Sequence, residues 1–162
     1  MQIEYGDLGA LEGVRCVTTN GSTDRYGMNI MGGGCAREAA ERYPWLPNYY
    51  GRMLKEHGNH VFLTGPVVCF PVKHQVGEPA DLALVKRSLV ELETLANLYD
   101  WQRVLLPTPG CGLGGLSWDG EVREVAERIL DDRFTIVRFV TEHPDAGIRA
   151  AARPASKEPA IS

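Results

Sequence analysis

The sequence predicts an α/β domain in which helices cover both faces of a layered sheet. Short apolar runs of strand length alternate with longer stretches whose apolar residues recur at helical spacing. Twice, a glycine-rich loop falls between a strand and a helix, at residues 30–36 and again at residues 107–118. A chain of 162 residues, 44% apolar and 23% charged, suits one ordinary domain able to bury a core.

Taken in order, Ile3-Glu4-Tyr5 reads as a first strand running into Gly6-Asp7-Leu8, and residues 15–19 as a second that ends at the turn signal Asn20-Gly21. After a loop over residues 22–29, Ile30-Met31-Gly32-Gly33-Gly34-Cys35-Ala36 opens a helix that runs to about Tyr43. Pro44 and Pro47 break the chain, which places the next helix at residues 49–56. Residues 60–63 and 67–70 read as strands joined by Thr64-Gly65-Pro66, and residues 71–79 as the loop leaving the second. From Asp81 a long helix runs to about Leu98, with Leu82, Val85, Leu89, Leu92 and Ala96 on one face. Residues 103–106 form a buried strand, residues 121–130 a helix, and residues 134–140 a last strand whose β-branched and aromatic residues suit a central position. From His143 onward the chain is rich in Ala and Pro without apolar periodicity. The expected division is a folded domain over residues 1–141 and a mobile tail over residues 142–162.

Several function classes drop out. A net charge of −4 gives no basic footprint for general nucleic-acid binding, though an enzyme reading one modified nucleotide stays open. No run approaches the roughly 20 apolar residues of a membrane span, and Met1-Gln2-Ile3-Glu4 has no signal-peptide character. Cys16, Cys35, Cys69 and Cys111 are scattered without a C-x-x-C pair and read as reduced thiols of a cytoplasmic protein. His57 and His60 lack a Cys or carboxylate cluster, so neither a metal nor a cofactor is expected. Gly110, Gly112 and Gly115 formally satisfy G-x-G-x-x-G. Too few strand–helix repeats follow for a dinucleotide fold, however, and no Lys-Ser/Thr pair follows for a P-loop. What remains is anion binding, or a tight strand-to-helix turn with no ligand. Gly110, Gly112, Gly114 and Gly115 remove the Cβ atoms that would keep a ligand off the backbone, so several N–H groups can converge on a phosphate or diphosphate. A helix start adds partial positive charge. Two such loops suit a ligand with two anionic or ribose-like parts.

Over residues 1–140 the motifs resemble, in order, those of the macro domains, the ADP-ribose-binding α/β/α fold. Gly6-Asp7-Leu8 is similar to the family's G-D-[IL], Asn20 to the Asn ending its second strand, and residues 30–36 and 110–118 to its two glycine loops. Met31-Gly32-x-Gly34-x-Ala36, Phe70-Pro71-x-Lys73 and Gly110-Cys111-Gly112-Leu113-Gly114-Gly115-Leu116-x-Trp118 most resemble two groups. These are the terminal ADP-ribose protein glycohydrolases and the antitoxin macro domains that remove ADP-ribose from thymidine in DNA. The resemblance implies a three-layer α/β/α sandwich with a mixed, mainly parallel sheet. It also implies ADP-ribose contacts from Asp7, Leu8, Asn20, Met31, Gly32, Gly33, Gly34, Cys35, Gly110, Cys111, Gly112, Leu113, Gly114, Gly115 and Leu116, and a catalytic Lys73. The implied activity is an ADP-ribosyl hydrolase acting, as a monomer, on a modified macromolecule linked through DNA thymidine or a protein acidic residue. The alternatives are a non-catalytic reader of ADP-ribose and a hydrolase of free ADP-ribose esters or phosphate. The chain departs from the family at Gly114 and Ala36, where other branches carry a catalytic Asp. Its loop at residues 21–29 is also longer than in similar members.

Cleaving a glycosidic bond at the distal ribose passes through an oxocarbenium-like state, and a nucleophile on the anomeric carbon splits that step in two. An amine does this only when neutral, which calls for burial or a neighbouring cation. A bound diphosphate favours the ammonium instead, and in that form the lysine orients the leaving group. His74, Glu78, Asp81 and Asp119 are all candidates for the acid. Trp118 reads as a core anchor, and Tyr5, Tyr26 and Tyr43 are candidates to stack on an adenine.

Overall fold

In the computed structural model, which describes residues 1–139, six strands form one sheet in the order β1-β6-β5-β2-β4-β3. β1 (Gln2–Tyr5), β2 (Val14–Asn20), β4 (Val68–Lys73), β5 (Val104–Pro107) and β6 (Phe134–Arg138) run parallel, and the edge strand β3 (Phe62–Leu63) pairs antiparallel with β4. The sheet is mixed and mainly parallel, as the resemblance implies. β6 lies inside it between β1 and β5, which agrees with its apolar composition. The expected tail at residues 142–162 lies outside the described residues.

The helices fall on two faces. α1 (Gly34–Arg42) and α2 (Leu46–His57) pack on one, and α3 (Leu82–Leu98) and α4 (Arg123–Ile129) on the other. The alternation of side chains along a strand assigns residues to each side. In β4, Val68, Phe70 and Val72 meet Val85, Leu89 and Leu92 of α3, while Cys69 and the preceding Val67 join Leu46, Tyr50 and Leu54 of α2. A strand buried on both faces reads as a continuous apolar run, as β4 does. Tyr50, the largest fully buried side chain, meets the Thr19 hydroxyl at 3.2 Å and donates to the His60 carbonyl at 3.3 Å. Burial pushes its hydroxyl's ionisation upward.

Three local expectations are corrected. Pro47 does not break the chain; it sits in the first turn of α2, where no helical N–H is required of it. Residues 71–73 are strand and not loop. β4 ends at Lys73, and a register shift opposite Thr19 and Asn20 leaves Val72 as an extra residue between Pro71 and Lys73. Pro71 is tolerated because β3 pairs only with Val68 and Cys69, and its carbonyl accepts from the Ser88 hydroxyl at 2.7 Å. The helix expected over residues 121–130 starts instead as a single π-turn, Trp118–Val122, before α4. Among the described residues no helix is long and apolar enough to cross a membrane.

Candidate active site

All five parallel strands end at the same edge of the sheet, and a cavity of about 740 Å³ opens there. Its volume falls in the range of small-molecule sites. It extends from the ends of β1 and β6 to the ends of β2 and β4, four strand spacings or roughly 19 Å across.

Asp7, Leu8, Arg138 and Phe139 form one end. β1 and β6 bring them together, and the Gly6 N–H donates to the Arg138 carbonyl at 2.8 Å. One Asp7 oxygen accepts from the Gly9 N–H at 2.9 Å and caps the 3-10 turn Leu8–Ala10; the other has no hydrogen-bond partner among the described residues. Leu8 is buried against Leu105 and Val137 and fixes the turn from beneath.

The two glycine loops form the middle. The first hands over directly to α1, whose N-cap, Gly33, offers no side-chain hydrogen bond. The N–H groups of Gly34, Cys35 and Ala36 are therefore left without a helical partner at the cavity wall. The Cys35 sulfur accepts from the Thr18 N–H at 3.4 Å and pins this loop to β2. The second loop is bonded to itself, Leu116 N–H to the Gly110 carbonyl at 2.9 Å and Gly115 N–H to the Gly112 carbonyl at 3.2 Å. The Ala80 N–H, just before α3, donates to the Gly114 carbonyl at 2.9 Å. A Cβ on Gly114 would lie 2.5 Å from the Gly110 oxygen and 2.6 Å from the Ala80 Cβ. The aspartate that other branches carry there has no room. The loops also touch each other, since a Cβ on Gly33 would lie 2.9 Å from the Leu113 Cδ1.

Asn20 and Lys73 form the far end, opposite each other on β2 and β4. Lys73 is held by its backbone: its carbonyl accepts from the Gly21 N–H at 3.1 Å and from the Asn59 side-chain amide at 3.0 Å. Its side chain is half-buried and has no ion-pair partner among the described residues. The Asn20 amide donates to the Ile30 carbonyl and its oxygen accepts from the Ser22 N–H, both at 2.9 Å. It braces the longer loop of residues 21–29.

Of the residues singled out in the sequence, Met31 and Gly115 do not line the cavity. Met31 is buried with Val17, Leu46 and Tyr50, and Gly115 serves the turn of the second loop. Among the four acid candidates only Asp119 lines the wall. His74 Nε2 and Asp81 Oδ2 are 2.7 Å apart outside it. The His74 hydrogen bond, ahead of the Ala83 N–H that Asp81 caps, holds the Asp81 carboxyl below its usual range. Glu38 was missed. It lies one turn into α1 on the cavity side, and burial, then Asp7, then Glu41 push its carboxyl above the usual range. Its position four residues after Gly34 was the available signal. Tyr5, Tyr26 and Tyr43 do not line the cavity, while Phe139, 52% exposed, does. Trp118 is both core and wall, 4% exposed, with its indole N–H buried and unpartnered. Among the described residues no His, Cys, Asp or Glu side chains cluster as metal ligands.

No family model matches the chain. Two curated proteins named DNA ADP-ribosyl glycohydrolase, from Mycobacterium tuberculosis and Mycobacterium bovis, are each 27% identical to it over 136 residues. The match takes in 76% of this chain and 38% of each relative, so the chain spans well under half the length of the curated relatives. Among solved structures, the macrodomain of Mycobacterium tuberculosis DarG superposes with a TM-score of 0.70 at 25% identity, covering 85% of this chain and 97% of that one. The macrodomain of Thermus aquaticus DarG superposes at 0.67 with 20% identity, covering 85% and 96%. The Thermosipho africanus DarTG in complex with ADP-ribose superposes at 0.69 with 18% identity, covering 91% and 44%. These superpositions make the chain a macrodomain in fold, similar to the macrodomains of DarG proteins.

Proposed function

We propose that this chain is an ADP-ribosyl hydrolase that removes ADP-ribose from thymidine in DNA. The observation that carries the reading is the span of one cavity. Asp7 and Phe139 stand at one end, two loops rich in N–H donors face each other in the middle, and Lys73 stands at the other end. ADP-ribose fits that order, with adenine beside Asp7 and Phe139, the diphosphate between the loops, and the distal ribose against Lys73. The Mycobacterium relatives named DNA ADP-ribosyl glycohydrolase support DNA as the modified macromolecule. Both ends of the cavity and both loops come from one chain, which fits action as a monomer, and four unbridged cysteines fit the cytoplasm.

In this mechanism the Lys73 ammonium gives a proton to thymine, and the amine so freed bonds to the anomeric carbon while the glycosidic bond breaks and its electron pair leaves with the base. Water then attacks the anomeric carbon, releases ADP-ribose and restores the Lys73 ammonium. The crowding at Gly114, which excludes an aspartate, favours the second reading, a silent reader of ADP-ribose.

The experiment is hydrolysis of thymidine-ADP-ribosylated single-stranded DNA beside a glutamate-ADP-ribosylated protein. Release from the DNA by the wild type, abolished in Lys73→Ala with ADP-ribose still bound, is the expected result. Lys73→Arg separates the roles, because it keeps a charge without a neutral amine. Binding without release from either substrate makes the chain a reader, and unchanged turnover in Lys73→Ala removes that residue from the mechanism.

A further inference from the structure

Beside the Lys73 end of the cavity lies a second depression of about 480 Å³, between the loop of residues 21–29 and α2. The two adjoin through the backbone: Asn20 lines the cavity and Gly21 the groove, and the Gly21 N–H donates to the Lys73 carbonyl at 3.1 Å. Tyr26, Asn48, Arg52 and Lys55 stand in the groove's wall, and no acidic side chain among the described residues lines it. In a chain of net charge −4, such a grouping is a local exception.

The loop is built against its surroundings. Thr23 and Asn29 form a bridge, and one Asp24 oxygen accepts from the Tyr26 and Met28 N–H groups at 2.8 and 3.0 Å. The Ser22 hydroxyl accepts from the Val76 N–H at 2.8 Å. The Gly27 carbonyl seats so closely on α2 that a Cβ on Gly51 would overlap it. This frame presents the Tyr26 ring 70% exposed, with the Arg25 guanidinium 4.8 Å from its centroid. Holding a large aromatic ring out in water has no benefit to the fold, whereas aromatic faces beside cations are how proteins take single-stranded nucleic acid.

We propose that this groove holds the single strand flanking the modified nucleotide, with Arg52 and Lys55 on its phosphates and an unstacked base on Tyr26. The proposal rests on the DNA reading above and supplies the second half of the substrate, since the ADP-ribose cavity alone does not distinguish DNA from a free nucleoside.

The test is fluorescence anisotropy of a labelled, unmodified twelve-nucleotide single strand with the whole chain, over a salt series. Charge-assisted contact with two phosphates predicts a log–log salt slope of about −1.4. Arg52→Glu with Lys55→Glu is expected to weaken the oligonucleotide at least tenfold and flatten that slope. Tyr26→Ala is expected to weaken it several-fold, and both variants keep wild-type circular dichroism and ADP-ribose affinity by calorimetry. Oligonucleotide affinity unchanged in the charge-reversed variant overturns the proposal. So does a poly-glutamate peptide that binds the wild type as well as the oligonucleotide and is lost in the same variant. The hydrolase reading fails separately: if binding tracks Arg52 and Lys55 while the wild type releases no ADP-ribose from DNA, the groove stands and the activity falls.

Discussion

The two glycine loops face each other across one cavity and are glycine-rich for different physical reasons. The first runs straight into α1 with no side-chain cap, so its value lies in the backbone donors it leaves open. The second is folded onto itself by backbone hydrogen bonds, and the helix that follows begins as a π-turn whose Gly120 N–H is already taken by the Ser117 hydroxyl at 2.9 Å. There glycine answers crowding: Gly114 is wedged against Gly110 and Ala80. One loop is therefore open for a ligand, and the other is shaped so that its backbone can come close to one. Equal composition does not mean equal tolerance.

That contrast predicts unequal costs. Gly114→Ala should destabilise the fold by about 1–3 kcal/mol in a denaturant melt, the typical cost of forcing atoms into a packed site, and weaken ADP-ribose at least tenfold. Gly33→Ala should stay within about 0.5 kcal/mol of wild type, because its Cβ would meet only the end of Leu113, a side chain 82% exposed and free to swing away. Equal costs would break the comparison. Asp7→Ala probes a point outside both loops and should weaken ADP-ribose by about 1–3 kcal/mol, read by calorimetry. Combined with Gly33→Ala the losses should add to within about 0.5 kcal/mol, and strong coupling would mean that the loop and Asp7 grip the same part of the ligand.

A smaller effect on ADP-ribose is expected at Glu38, whose carboxylate sits on the first loop's helix facing the cavity. Glu38→Gln should tighten ADP-ribose a few-fold at neutral pH, with the advantage closing as the pH falls and the wild-type carboxyl takes up a proton. The sign for stability runs the same way. A carboxyl raised in the folded state keeps its proton longer than in the unfolded chain, so the fold loses stability as pH rises from the ordinary carboxylate value through the raised one. Gln removes that loss, and thermal melts at acid and neutral pH should show the two proteins converging in acid.

Much of this was legible in the sequence, for reasons that are local. Glycine runs between an apolar strand and a helical pattern announce themselves, and Lys73 stood out by the Phe70-Pro71-x-Lys73 motif. What escaped depends on where elements end and which way they turn. Phe139 read as strand, yet β6 stops at Arg138 and leaves its ring at the cavity rim. Glu38 belongs to no motif, and only the facing of α1 brings it to the cavity. Pro71 read as the start of a loop and Pro47 as a breaker, but a neighbouring strand that stops early and a first helical turn each remove the need for an N–H.

The cysteines divide along the same lines. Cys16 and Cys69 are fully enclosed, and burial pushes their thiols so far up that neither forms a thiolate under ordinary conditions. Cys35 and Cys111 are half-buried, one in the wall of each glycine loop. An electrophile applied to the folded protein thus finds its accessible sulfurs on the two glycine loops, on either side of the proposed diphosphate position. The rate at which it reacts becomes a footprint of whether the cleft between them is filled, with no label added to the protein.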